Sequence, residues 1–119
     1  VDDSAITVWQ PDLSKTGGIT EGLRIAALAK QHGFLIHPHT SLTSLNMAAS
    51  VHFLCGIDNG GYFEADCSAF NPFREELCSP GFVTDVNAAV TPLAKFGLGV
   101  EVNEALLINF PVVPGPGYV

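Results

Sequence analysis

Basic side chains are scarce in this 119-residue sequence, which has five Lys and Arg residues against twelve Asp and Glu and a formal net charge of −7. An acidic surface is repelled by phosphate backbones and by anionic lipid headgroups. The sequence also lacks any run near the roughly twenty apolar residues that a helix needs to span a bilayer. Composition therefore argues against nucleic acids and membranes as partners.

Cysteine is also sparse, and the spacing of the three residues matches no metal motif. Cys55, Cys67 and Cys78 form no Cys-x-x-Cys pair, and any disulfide would leave one of them over. Zinc sites usually have closely spaced Cys or His ligands, so the sequence argues against a structural zinc. Unpaired thiols are typical of proteins in a reducing compartment, which predicts a cytoplasmic location.

Charged residues of both signs make up only 14% of the chain, whereas hydrophobic residues make up 47%. An average soluble domain is roughly a quarter charged. Such an apolar chain suits strands that are buried on both faces, as in parallel sheets flanked by helices. It also suits a piece of a larger protein whose apolar surfaces are covered by other segments.

The order of apolar and polar segments predicts an α/β fold. Short apolar segments rich in β-formers predict strands at residues 5–10, 34–38 and 62–65, and helical spacing predicts helices at 19–32 and 44–56. Alternation of this kind implies parallel strands with right-handed crossovers. We therefore expect one domain, with β-α-β-α-β over residues 1–66 and an irregular extension over 67–119.

Three ionisable residues follow the three predicted strands: Asp12, His39 and Glu64. The carboxyl ends of parallel strands share one edge of a sheet, where catalytic residues usually lie. Neighbouring strands are about 4.8 Å apart, so Asp12 and His39 are expected to be within hydrogen-bonding distance. An Asp that holds one imidazole nitrogen prepares the other for proton abstraction, and Glu64 could share a proton with a substrate oxygen.

Each of these residues also has a simpler interpretation. A strand-end Asp such as Asp12 is often a helix cap, and Glu64 could be a solvated acid. Lys15 is expected to neutralise a neighbouring acid, and His37 to point into the structure rather than into a site.

Several segments resemble the mandelate racemase family of the enolase superfamily. Asp12 and His39 are 27 positions apart, which is the spacing of the acid/base pair in that family. The segments that carry the resemblance are Gln10-Pro11-Asp12, Lys15-Thr16-Gly17-Gly18-Ile19-Thr20, Gln31-His32-Gly33, Pro38-His39, Tyr62-Phe63-Glu64 and Gly97-Leu98-Gly99-Val100-Glu101-Val102. They are similar to the sixth, seventh and eighth strand segments of the family's barrel and to the stretch that follows.

The resemblance implies that this chain is an incomplete (β/α) barrel fragment, the last β/α units of a (β/α)7β barrel with a C-terminal extension. The complete enzyme would bind Mg²⁺ through carboxylates on earlier strands, and Glu64 would hydrogen-bond the enediolate intermediate. No cofactor is expected for this chain alone. Its partner in the complete enzyme would be a sugar acid or a 2-hydroxy acid, both of which carry a carboxylate. The muconate lactonising branch has Lys where this chain has Asp12, so the mandelate racemase branch, rich in acid-sugar dehydratases, is favoured.

We therefore predict a C-terminal fragment of an acid-sugar dehydratase-like enzyme that uses an Asp–His dyad and is inactive as the isolated chain. Two alternatives are a parent that is a racemase or epimerase, and a non-catalytic β/α module that self-associates. The open strands at either end of the sheet predict a homo-oligomer or a partner that supplies a missing N-terminal portion.

Overall fold

The computed structural model describes residues 5–82 and 84–115. The first half contains β1 (Val8–Trp9), α1 (Leu13–Thr16), α2 (Gly18–Gln31), β2 (Leu35–Ile36) and α3 (Ser44–Cys55). The second half contains α4 (Pro72–Glu75), β3 (Cys78–Ser79), β4 (Glu101–Val102) and α5 (Glu104–Ile108). The chain is thus mixed α/β, as the sequence predicts.

The two strands of the first half pair in parallel, as expected, although each is only two residues long. Val8 lies opposite Leu35, and Trp9 lies opposite Ile36. The backbone N–H of His37 donates to the carbonyl of Trp9 at 3.0 Å. Within the described part of the chain, β1 has no other strand partner. Self-association through this edge remains a prediction.

The predicted third strand, at residues 62–65, is wrong. Ile36 makes one parallel bridge on its other side, donating to the carbonyl of Asn59 and accepting from the N–H of Gly61, both at 2.9 Å. The next donor on that edge of β2 would be Pro38, which has no N–H, so the ladder stops there. Residues 5–66 therefore form β-α-α-β-α with an isolated bridge at Gly60 in place of the last strand.

The two long helices have nearly the predicted bounds, and a short further helix, α1, precedes α2. α1 ends at Gly17, whose φ of +106° favours glycine, and α2 follows at once. Glu21 in the first turn of α2 and Lys30 in its last turn complement the helix dipole. Thr43 caps α3, because its side chain accepts from the N–H of Asn46.

A hydrophobic cluster holds the first half together beneath β1 and β2. Its buried members come from α1, α2, β2 and α3: Leu13, Ala26, Ala29, Ile36 and Phe53. This cluster fixes the two strands against the helices and thereby fixes the residues that follow each strand.

The expected irregularity of residues 67–119 is only partly correct, because the extension has its own short elements and its own small cluster. Asn71 caps α4, and Pro72 occupies the first turn, where a missing N–H costs nothing. β3 and β4 pair antiparallel. Leu77, Cys78 and Leu106 are buried against one another, so apolar contacts order a segment whose prolines and glycines predict loops.

The three cysteines are unpaired, as predicted. No helix within residues 5–82 and 84–115 is long and apolar enough to cross a membrane.

Replacing Gly61 with alanine is expected to destabilise the chain by about 1–3 kcal/mol, the usual cost of overpacking. A β-carbon at Gly61 would overlap the ring of His37, which also meets the Tyr62 ring with a centroid distance of 5.3 Å. Gly81→Ala is the matched control, since open space surrounds Gly81 and its backbone needs no glycine. Urea denaturation of both variants measures the difference, and equal stabilities would contradict the overlap.

Candidate functional site

Asp12 and His39 lie side by side at the carboxyl end of the parallel pair. Each is the third residue after the end of its strand, and the last strand residues, Trp9 and Ile36, are register partners. The Oδ2 atom of Asp12 is 2.9 Å from Nδ1 of His39. The expected hydrogen bond between the two side chains is therefore present, while their catalytic role remains a prediction.

The Asp12 carboxylate is buried, with 6% of its side chain exposed. It is also the N-cap of α1, since Oδ1 accepts from the Ser14 N–H at 2.9 Å and from its hydroxyl at 2.6 Å. A third donor to Oδ1 is the side-chain amide of Asn46 at 3.0 Å, and Lys15 Nζ lies 3.3 Å from Oδ2. The helix-cap interpretation is thus confirmed, and the hydrogen bond to His39 is present as well, because one oxygen serves the cap and the other faces His39.

The surroundings of Asp12 determine its charge at neutral pH. Burial alone raises the pKa of its carboxyl group, but hydrogen bonds from Ser14, His39 and Lys15 outweigh it and lower the pKa to about 2. The group is therefore ionised near neutrality and can only accept hydrogen bonds. It follows that Nδ1 of His39 carries the proton of the shared hydrogen bond.

His39 is more exposed than its partner, with 40% of its side chain accessible. Since Nδ1 donates to Asp12, the neutral ring has its lone pair on Nε2. Ser41 Oγ lies 3.5 Å from Nδ1, at the limit of a hydrogen bond. The imidazole is thus held at one nitrogen while its ring lines a surface pocket.

That pocket has a volume of about 210 Å³ and brings Glu64 to the same place as His39. Glu64 is exposed, and its backbone carbonyl accepts from the hydroxyl of the buried Thr40. Asp66 and Cys67 line the pocket beside it. The structure therefore places all three predicted site residues at one end of the fold, although Glu64 is on a loop rather than at a strand end.

The profile of the enolase C-terminal domain-like family matches residues 1–106 of the chain. The chain belongs to the enolase superfamily. Within that superfamily, it is a C-terminal domain of the mandelate racemase and galactonate dehydratase branch, and it covers only a fragment of the related chains.

Relatives of known name and structure agree with this assignment. The chain is 37% identical to a D-galactonate dehydratase of Verminephrobacter eiseniae over 108 residues, which are 87% of the chain and 28% of that relative. It is 34% identical to a D-galactonate dehydratase of Pectobacterium atrosepticum over 112 residues, 90% of the chain and 29% of the relative. The crystal structure of an enolase superfamily member from Polaromonas sp. JS666 superposes with a TM-score of 0.86 at 51% identity and covers 99% of the chain and 31% of that structure. The chain thus spans less than a third of the length of these relatives.

Enolase superfamily membership implies Mg²⁺ in the complete enzyme, but the described residues do not form a site for it. Among residues 5–82 and 84–115, no three His, Cys, Asp or Glu side chains are placed so that they could hold one metal ion together. The Asp12 oxygens are taken by His39 and the capping donors, and those of Asp66 accept from Ser68 and Asn71. Mg²⁺ prefers several oxygen ligands in octahedral geometry, which this arrangement does not supply.

Sequence reasoning missed three side chains at this site: Ser14 and Asn46 donate to the Asp12 carboxylate, and Thr40 donates to the backbone carbonyl of Glu64. Ser14, two residues after Asp12, has the spacing of a side-chain capped turn, a signal that was available. Asn46 and Thr40 gave only weaker signals, as polar residues in apolar surroundings. Their contacts bridge separate elements, so spacing alone does not reveal them.

Proposed function

We propose that this chain is the C-terminal barrel segment of an acid-sugar dehydratase of the enolase superfamily, in which Asp12 and His39 form a dyad and His39, held by Asp12, transfers the proton. The observation that carries the proposal is the 2.9 Å hydrogen bond between Asp12 and His39 in a chain of this superfamily. The names of the dehydratases to which the chain is similar favour dehydration over racemisation as the reaction of the complete protein.

His39 is the proposed base. With Nδ1 held by the ionised Asp12, the lone pair of Nε2 takes a proton from the carbon next to the substrate carboxylate. The positive charge that then develops on the imidazole is stabilised by the buried carboxylate 2.9 Å away.

Glu64 is the proposed partner of a substrate oxygen. Its side chain is exposed in the pocket that His39 also lines, and its backbone is held by Thr40. Anchoring the main chain leaves the carboxyl group to meet a substrate hydroxyl or enediolate oxygen by hydrogen bonding.

The proposal is tested on the product of the complete reading frame that encodes this segment, supplied with Mg²⁺ and a panel of sugar acids that includes D-galactonate. Formation of a keto acid with loss of water supports it. Exchange of the α-proton with deuterium from solvent, without loss of water, would instead indicate a racemase or epimerase. If neither reaction occurs with any member of the panel, the result favours the non-catalytic module.

The isolated chain is expected to bind no Mg²⁺ at a defined site. Its candidate oxygen ligands either accept hydrogen bonds from other groups or lack further oxygen ligands beside them. Isothermal titration calorimetry of the 119-residue chain should show no stoichiometric binding in the micromolar range. The complete protein is the control and should bind the ion. A stoichiometric site in the short chain would contradict the assignment of the ligands to other segments.

A further inference from the structure

The side-chain amide of Asn46 is buried against the carboxylate of Asp12. Asn46 is 6% exposed, and its Nδ2 lies 3.0 Å from Oδ1 of Asp12. A carboxylate oxygen only accepts hydrogen bonds, so the amide nitrogen, not the amide oxygen, must face it. The contact therefore has a defined donor, and the donor comes from a helix far along the chain from Asp12.

The backbone of Asn46 is itself held in place. Asn46 lies in the first turn of α3, where its N–H donates to the hydroxyl of the cap residue Thr43 at 3.0 Å. This bond fixes the turn from which the amide reaches Asp12.

The two oxygens of Asp12 have different partners. Oδ1 accepts from Asn46 and from both polar groups of Ser14, whereas Oδ2 faces His39 at 2.9 Å and Lys15 at 3.3 Å. The Ser14 contacts are local to the turn that Asp12 caps, so they move with it. The Asn46 contact ties the carboxylate to α3, a separate element, and so prevents rotation of the group as a whole.

We infer that Asn46 is a positioning residue, which holds the Asp12 carboxylate so that Oδ2 faces His39 and thereby fixes the tautomer of the imidazole. A purely packing role would not require a donor at this point. Ser50 shows the contrast, since it is fully buried on the same helix and its hydroxyl has no hydrogen-bond partner among the described residues. The inference concerns the orientation of the pair and does not depend on which reaction the complete protein catalyses.

The test is nitrogen-15 NMR of the histidine ring in the 119-residue chain, which reports the tautomer of His39 directly. Asn46→Leu removes the donor at similar size, and Asn46→Asp replaces it with an acceptor. In both variants, we expect the ratio of the Nε2–H to the Nδ1–H tautomer of His39 to rise about tenfold. This is the change expected when one hydrogen bond to a charged group is lost. Ser50→Ala is the matched control and should leave the ratio unchanged.

Circular dichroism establishes that each variant is folded. An unchanged His39 tautomer in a folded Asn46 variant would overturn the inference, as would an equal change in Ser50→Ala. If Asn46→Leu does not fold, Asn46→Asp decides. Failure of both to fold while Ser50→Ala folds would show that Asn46 holds the fold rather than the orientation of the pair, and would also overturn it.

Discussion

Replacing His39 with asparagine is expected to lower turnover of the complete protein by about 10²–10⁴-fold, the usual contribution of a positioned acid/base group. The imidazole is the only group held by the ionised Asp12 that also lines the pocket, among the residues the structure describes. Asparagine keeps a polar side chain but has no group that accepts a proton near neutral pH. The loss should therefore appear in kcat rather than in substrate affinity.

The matched control for this experiment is His32→Asn. His32 is exposed at the end of α2, and its ring stacks on Phe34 rather than facing Asp12. Turnover of this control should be unchanged. A His39→Asn protein with wild-type turnover would exclude His39 as the base, and an equal loss in both variants would point to a general effect on folding.

Removing the Asp12 carboxylate is expected to have the largest effect on stability. Asp12→Ala loses the cap of α1, worth about 1 kcal/mol, and leaves the buried Asn46 amide without its acceptor, which costs about 1–3 kcal/mol. We therefore expect a loss of about 3 kcal/mol in the free energy of unfolding. Asp12→Asn should lose less, because asparagine is a good cap residue of the same size.

The stabilising effect of Asp12 should also depend on pH, in a direction set by its pKa. The folded pKa, about 2, lies below the ordinary value of 3.8, so the unfolded chain takes up the proton more readily. The contribution of Asp12 to the free energy of unfolding totals about 2 kcal/mol. It is complete above pH 4 and is lost as the pH falls through the folded pKa.

Urea denaturation of the wild type and of Asp12→Asn between pH 2 and pH 6 measures this contribution. Asp58, Asp66 and Asp85 also have lowered pKa values, through their own hydrogen bonds, and titrate in both proteins. Subtracting the two curves isolates Asp12. If the difference in the free energy of unfolding between the two proteins is the same at every pH, the charge of Asp12 does not stabilise the folded chain.

The sequence predicted the parts of the fold that depend on local patterns. Helical spacing and capping residues placed α2 and α3 to within one residue at each end. Strand composition placed β1 and β2, and the parallel arrangement then predicted the contact between Asp12 and His39. These predictions rest on residues near one another in the chain or on a rule of strand order.

What sequence reasoning missed depends on contacts between distant segments. The strand at 62–65 fails because Pro38, which follows β2, cannot donate to it. The elements within residues 67–82 and 84–115 form because Leu77 and Leu106 bury one another across many intervening residues. The donors to Asp12 were missed for the same reason, since the position of Asn46 becomes meaningful only once α3 packs beside α1.

The partners of the Asp12 carboxylate also imply an order of assembly during folding. The Ser14 contacts span two residues and can form with the first turn of α1, whereas the His39 and Asn46 contacts span 27 and 34 residues. Long loops close later because their closure costs more chain entropy. We therefore expect the carboxylate to be oriented by its own turn first and to receive the imidazole and the amide afterwards. Stopped-flow refolding should then show a larger change in folding rate for substitutions at Ser14 than for substitutions at Asn46.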